Sequence, residues 1–298
     1  MSILQIGFER SGNLWLWSII EGLLGQAGVP HRSFIQRQPI YEIAKHWDLS
    51  FQGQAGVDRL EIGPARSYCL IYPIFLSPLE DVEAYARECS HVWCQSHFHD
   101  EASPSVLSKF SKVVYIARDP RDALVSMSRY VFLPFARKYF PAAEKTPEEY
   151  IEKRLAGFMR NWVRHAGGYL QSQREARIHF IFYERLLRSF DEEAGRLAEY
   201  LGLSLDRGSA ETVKKNAAFA AMKTQNPYHV SEGTAGQWKA RLSTAQKKAA
   251  LGIAGPLLEL LNDPPPRRDP ERIRKMIADA KRKPLGDVIR RGYHFLMK

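Results

Sequence analysis

Arg10 sits in a short polar turn closed by Gly7 and Gly12, the first place where the chain could do chemistry. Ahead of the turn, Ile3, Leu4, Ile6 and Phe8 form an apolar, β-branched run that reads as a buried strand. Behind it, Leu14, Trp15, Trp17, Ser18, Ile19, Leu23 and Leu24 follow a helical pattern. Strand, glycine turn and helix together cradle a phosphate, because turn N–H groups converge on the anion and the helix N-terminus adds partial positive charge. A loop built for Mg-ATP would continue with Lys and then Ser or Thr; here the next residues are Asn13 and Leu14. With Arg10 as its one cation, the turn suits a single phosphate with a positive charge beside its ester oxygen. Taken alone, the stretch is equally an ordinary strand-to-helix turn.

A second anion site is legible further on. Residues 112–117 (KVVYIA) are the clearest buried strand, and Asp119 or Asp122 then opens a helix with Pro120 in its first turn. Arg118 at the strand end offers a charge-assisted fork for a phosphate, and Ser126 two turns later adds a hydroxyl. Folding needs neither; an Arg–Asp surface pair is the plainer alternative. A third candidate is His97, just past the short strand His91–Ser96, where open α/β sheets place ligands and catalytic groups. His99 is its rival. Cys89, Cys94, His97 and His99 also make a compact cluster, but its spacing is unlike a structural zinc site, and no metal is expected.

These stretches resemble the sulfotransferases that use 3′-phosphoadenosine 5′-phosphosulfate (PAPS). Glu9 to Trp15, E-R-S-G-N-L-W, is similar to that family's 5′-phosphosulfate loop P-K-S-G-T-T-W, with Arg10 at the Lys, Ser11, Gly12 and Trp15 matching, and Asn13 and Leu14 replacing two Thr. Ser96-His97 fits the family's K-T-H, whose His is the catalytic base, while Gln95 replaces the Lys. Arg118-Asp119-Pro120-Arg121-Asp122 with Ser126 fits its 3′-phosphate motif without a gap. Tyr183, in Y-E-R-L, and Phe219, in a degenerate T-S-F-x-x-M-K, match residues that meet the nucleotide base; Ala217 stands at the Thr. Gly233, Gly236, Trp238 and Lys239 match R-K-G-x-x-G-D-W-K, but Ser231 and Glu232 stand where Arg and Lys would hold the 3′-phosphate. The resemblance therefore implies weaker 3′-phosphate binding, or a replacement cation from Lys223, Lys239 or Arg241. It also implies nucleotide contacts from Arg10, Ser11, Gly12, Asn13, Leu14, Trp15, Arg118, Ser126, Tyr183, Phe219, Gly233 and Lys239, with His97 and Arg10 catalytic.

Elements must position these residues. His31–Gln36 reads as a second strand, and residues 37–66 resist placement. Residues 79–90 read as a helix with an acidic first turn. Residues 146–176 form a long helix opened by a Thr146–Glu149 capping box with Pro147 at its first position, and Leu155, Phe158, Trp162 and His165/Ala166 form its core-facing stripe. Residues 177–182 read as a further strand, 190–203 as a helix closed by Gly202, and Ser243–Gln246 as another helix start. Asn226–Leu242, with glycines and no apolar period, reads as a mobile loop of the kind that acts as a lid.

Composition sets the outer limits. At 298 residues and 45% hydrophobic, the chain can bury a sizeable core. Three cysteines, Cys69, Cys89 and Cys94, make no disulfide framework. There is no signal-peptide pattern and no span of the length a membrane helix needs, so the expectation is a soluble cytoplasmic protein. Net charge is +10, much of it in residues 267–298, which carry eleven Lys/Arg against four Asp/Glu. That tail reads as a solvated helix from about Pro270 to Lys283 and would suit peripheral contact with an anionic membrane surface; no nucleic-acid partner is expected.

The resulting expectation is one α/β unit over residues 1–266, with 267–298 as a basic helical tail. Its fold is three-layered like the P-loop kinases, with a mostly parallel sheet of about five strands. The activity is sulfuryl transfer from PAPS to a hydroxyl of a small-molecule, lipid or glycan acceptor, leaving 3′-phosphoadenosine 5′-phosphate (PAP). Residues 37–76 and 127–145 are the expected acceptor side, with Tyr68, Tyr72, Phe75, Tyr130, Phe132 and Phe135 favouring an apolar or aromatic alcohol. The alternatives are a nucleotide-dependent kinase and a nucleotide-binding module without activity.

Overall fold

The structure is a computed structural model, described here for residues 1–95, 103–225, 233–262 and 269–282. Seven strands form one sheet in the order β4-β3-β2-β5-β1-β6-β7. They are β1 (Ile3–Gly7), β2 (Arg59–Ile62), β3 (Ser67–Ile71), β4 (Phe75–Pro78), β5 (His91–Cys94), β6 (Lys112–Ala117) and β7 (His179–Phe182). β2, β5, β1, β6 and β7 run parallel; β3 and β4 add an antiparallel edge. The five expected strands are thus the parallel part, though their membership differs.

β1 and β6 are apolar on both faces because both faces are covered. Ile3, Leu4 and Ile6 of β1 are fully buried, as are Val114, Tyr115 and Ile116 of β6. One face is packed by the helices Pro120–Tyr130, Pro147–Gln171, Thr244–Asn262 and Pro270–Arg282, which share one core with the sheet. The other carries Asn13–Gln26, Phe190–Leu201 and Arg207–Asn216. This makes the expected three-layer architecture. Trp162, at the centre of the long helix, is fully buried; truncating such a side chain to Ala typically costs about 3–5 kcal/mol.

One strand expectation is corrected. His31–Gln36 is not a strand: the segment is irregular and ends in a single 3₁₀ turn, Ile35–Arg37, whose first N–H donates to the buried Asp58 carboxylate at 2.8 Å. The strand that joins the sheet there is β2, hidden in the unplaced stretch. Its sequence, RLEI, carries two charged residues, yet all four are buried. The β3–β4 hairpin likewise supplies strands from the apolar run at 67–79.

The helix starts show how local chemistry works. At the long helix, the Thr146 side chain accepts from Glu149 N–H at 3.1 Å, as expected of an N-cap. The Glu149 carboxylate, however, reaches Lys145 N–H at 2.7 Å rather than that of Thr146, so the capping box closes one residue early. A reciprocal box forms instead at Ser243 and Gln246, at 3.2 and 2.9 Å. The helix at Val82–Glu88 is capped by Asp81, and Gly202 closes Phe190–Leu201 in the left-handed conformation. The Pro270–Arg282 helix turns Ile273 and Ala280 into the core and leaves Arg272, Arg274 and Lys275 exposed.

Candidate active site

The C-terminal ends of β1, β5 and β6 open into a cleft. Its floor is the turn between β1 and the first helix. Asn13 ties this turn together: its side-chain amide donates to the carbonyls of Gly7 at 3.2 Å and Phe8 at 3.0 Å. A Cβ on Gly7 would lie 2.2 Å from that amide oxygen. Gly12 has φ 95°, and a Cβ there would lie 2.6 Å from the Tyr183 ring, so both conformation and space require glycine. Arg10 also takes a left-handed φ, 59°. Ser11 is fully buried beneath the turn, its hydroxyl without a hydrogen-bond partner among the described residues.

Arg10 reaches across the cleft. Its Nε donates to Ser126 Oγ at 3.1 Å, and its guanidinium lies 4.5 Å over the Tyr130 ring. Burial lowers its pKa, and the nearby Arg118 lowers it further. Arg118, only 5% exposed, donates one arm to the Arg10 carbonyl at 2.9 Å and the other to the Thr234 carbonyl at 3.0 Å. Its guanidinium packs 4.1 Å over the Tyr183 ring. The two candidate anion-binding stretches, separate in sequence, are therefore contiguous: Arg10, Ser126 and Arg118 line one cleft wall.

The aromatic residues assigned to a base also converge. Trp15 lies 4.5 Å from Phe219 and 5.3 Å from Tyr183 between ring centres, and its indole N–H donates to the Ala217 carbonyl at 2.9 Å. Gly233 sits directly on Phe219; a Cβ there would come within 2.4 Å of the ring. Leu14 and Trp15 face the cleft with Phe219 and Tyr183. Lys239 does not line the cleft; it is exposed on the short turn Trp238–Arg241.

That turn exposes a residue whose task sequence reasoning missed. The Asp122 carboxylate accepts from Gly236 N–H at 2.5 Å and from Trp238 N–H at 3.1 Å. Arg121 adds its guanidinium 3.6 Å above the Trp238 ring, while its own charge is paired with Asp119 at 2.6 Å. The described part of the expected mobile loop, from 233 onward, is thus pinned to the start of the Pro120–Tyr130 helix. Asp119, not Asp122, caps that helix. No local signal ties Asp122 to partners more than a hundred positions away.

His97 and His99 lie outside the described residues, as do Ser231 and Glu232. β5 ends at Cys94, and Gln95 lines the cleft. Of the candidate acceptor-side aromatics, Tyr72 and Tyr130 line the cleft together with Phe51 and Trp93; Tyr68, Phe75, Phe132 and Phe135 do not. His165, read as part of the core stripe, also reaches the cleft wall, and its Nδ1 is 2.8 Å from the Tyr115 hydroxyl. Cys69, Cys89 and Cys94 are buried, with no disulfide among them.

Comparison with known proteins places this arrangement. The sulfotransferase domain family profile matches residues 2–259, and the chain belongs to that family. Among curated relatives, it is 27% identical over 265 residues to Sulfotransferase 2B1 of Mus musculus, covering 83% of this chain and 68% of that one. It is 26% identical over 264 residues to Sulfotransferase 2A1 of Macaca fascicularis, covering 83% and 80%. Among solved structures, mouse sulfotransferase SULT7A1 complexed with PAP superposes with a TM-score of 0.56 at 18% identity, covering 95% of this chain and 89% of that one. Retinol dehydratase complexed with retinol and PAP gives 0.55 at 18% identity, covering 84% and 79%. The P-loop kinase-like fold and the sulfotransferase class thus agree. Among the described residues, no helix is long and apolar enough to cross a membrane.

Proposed function

We propose that the protein transfers the sulfuryl group of PAPS to a hydroxyl of a small organic acceptor. The observation that carries this reading is the continuity of Arg10, Ser126 and Arg118 with the Trp15–Tyr183–Phe219 cluster. A nucleotide bearing phosphates at both its 3′ and 5′ positions needs two anion contacts at the reach of one ribose from an aromatic slot for its base. Arg10 and the loop N–H groups of Ser11 to Leu14 hold the 5′-phosphosulfate; Arg118 and Ser126 hold the 3′-phosphate. Gly233 keeps the following loop seated on Phe219 over the base. Lys239 reaches the nucleotide only if its turn moves inward.

In the reaction, His97 removes the acceptor hydroxyl proton, and the oxygen attacks sulfur in line. The bond from sulfur to the 5′-phosphate oxygen breaks, and PAP leaves with the electron pair. Arg10 and the loop N–H groups stabilise the charge that grows on that oxygen, where preorganised donors contribute most. Protein cations do this work, so the reading calls for no metal. The relatives support a small hydroxyl acceptor: retinol dehydratase structures contain retinol or androsterone. The catalytic unit is read as residues 1–266, with the tail helix packed on it, acting in the cytoplasm.

Calorimetric titration with PAP, AMP and Mg-ATP tests the nucleotide assignment. PAP should bind at least tenfold more tightly than AMP, a difference of about 1.4 kcal/mol. Equal binding of PAP and AMP would remove the 3′-phosphate contact from Arg118 and Ser126. Tighter binding of Mg-ATP would favour a kinase, and PAP binding without transfer to any acceptor would favour an inactive binding module.

A further inference from the structure

Besides Arg10 and Arg118, a third arginine lines the cleft. Arg59 is on β2 and is only 4% exposed, yet its side chain lines the cleft. It is held in an aromatic frame: its guanidinium lies 4.2 Å over the Trp93 ring, 5.7 Å from that of Tyr72 and 5.8 Å from that of Phe51. One arm donates to the side-chain oxygen of Gln95, a neutral acceptor, and Nε has no hydrogen-bond partner among the described residues. No described carboxylate forms an ion pair with Arg59, although Glu61 shares its face of the strand. A buried cation with no counter-ion among the described residues is costly, and burial lowers its pKa to about 10. Such an arginine is an anion receptor, its planar fork oriented by the stacked rings.

We propose that Arg59 binds an anionic group on the acceptor, a carboxylate or a phosphate monoester, on the β2 side of the cleft. This rests on the transferase reading above and narrows it: the acceptor is a hydroxy compound with an apolar or aromatic body and an acidic end. Phe51, Tyr72 and Tyr130 contact the body, Arg59 and Gln95 hold the acid, and the hydroxyl points toward Arg10. Neutral sterol-like alcohols leave Arg59 without an anionic partner and are poorer acceptors. Arg59 is a specificity-determining residue here and takes no part in breaking the sulfur–oxygen bond.

The test compares 3-(4-hydroxyphenyl)propionate, its primary amide and 2-(4-hydroxyphenyl)ethyl phosphate, each titrated into the PAP complex and each offered with PAPS. One or both acids should bind at least tenfold more tightly than the amide and react with a correspondingly higher kcat/KM; the better acid identifies the anion. In Arg59→Gln the acids should fall to the level of the amide while PAP affinity stays at the parent value, showing an intact nucleotide site. Arg59→Lys, which keeps charge without the fork, should recover part of the preference. Equal binding of acid and amide, binding of neither, or a preference that survives Arg59→Gln would overturn the proposal. Arg59-dependent acid binding with no sulfuryl transfer would leave the anion site standing and sink the transferase reading. Transfer to the amide as fast as to the acids would do the reverse.

Discussion

At the scale of single residues, the cleft gathers positive charge, with Arg10, Arg59 and Arg118 all in its lining. Arg10 stands at the phosphate loop in place of a lysine, and the change has a geometric consequence. A guanidinium can keep one N–H on Ser126 and lie over Tyr130 while presenting its other arms to a ligand. Gly12 cannot be replaced for two independent reasons, its left-handed φ and the Tyr183 ring beneath it. His97 carries a separate expectation. If His97 is the base of the proposed reaction, His97→Ala should bind PAP as the parent does and lose on the order of 10²–10⁴ in kcat. Titration calorimetry and a PAPS turnover assay on the same preparation check both halves. A variant with near-normal turnover would remove His97 from the mechanism and turn attention to His99.

Elements position these charges through a few long-range ties. The Pro120–Tyr130 helix does so twice: Asp119 caps its start and holds Arg121, and Asp122 reaches back to the N–H groups of Gly236 and Trp238. The loop that seats Gly233 on Phe219, and that accepts from Arg118 through Thr234, is therefore fixed by one carboxylate. Asp122→Ala removes both hydrogen bonds and leaves two N–H donors to water. The nucleotide should then dissociate faster, with PAP affinity weaker by roughly tenfold for the loss of charge-assisted bonds worth about 1.5–3 kcal/mol each, partly repaid by solvent. Stopped-flow displacement of bound PAP reads the rate directly. An unchanged dissociation rate would mean that the loop does not cover the nucleotide.

For the whole molecule, burial of titratable groups sets how stability responds to acid. His179 on β7 is stacked on Tyr200 at 4.8 Å, and burial, helped by Arg196, holds its pKa down to about 4 against an ordinary 6.5. Between those values the unfolded chain binds a proton that the folded chain refuses, so this group makes stability rise with pH from about 4 to about 6.5. Asp58 opposes it: burial pushes its carboxyl up from 3.8 to about 6, so the folded chain binds the extra proton and stability falls as pH rises through that window. His179→Phe keeps the stack and removes only the first effect. Relative to the parent, its thermal midpoint should be displaced downward at pH 7 compared with pH 5. Thermal unfolding at the two pH values checks this, and an unchanged difference would show that His179 is not held neutral in the folded chain.

How much of this was written in the sequence varies with the range of the interactions involved. The phosphate turn, the Arg118 strand end, the Thr146 and Ser243 helix starts and the buried strands β1 and β6 were legible, because each depends on neighbours within one or two turns of chain. β2 was not, because Arg59 and Glu61 break the apolar pattern that marks a buried strand, and its burial is decided by a cleft that exists only once β5 and the segment around Tyr72 are in place. The pairing of Gln95 with Arg59, the anchoring of the 233–241 segment by Asp122 and the meeting of Arg10 with Ser126 share that origin. By itself the sequence determined which residues could bind anions and which strands had to be buried. Only the tertiary structure decided that Arg10, Ser126 and Arg118 form one wall and that a third, differently framed arginine lines the same cleft, because contacts between residues so far apart in the chain carry no local periodicity from which to be read.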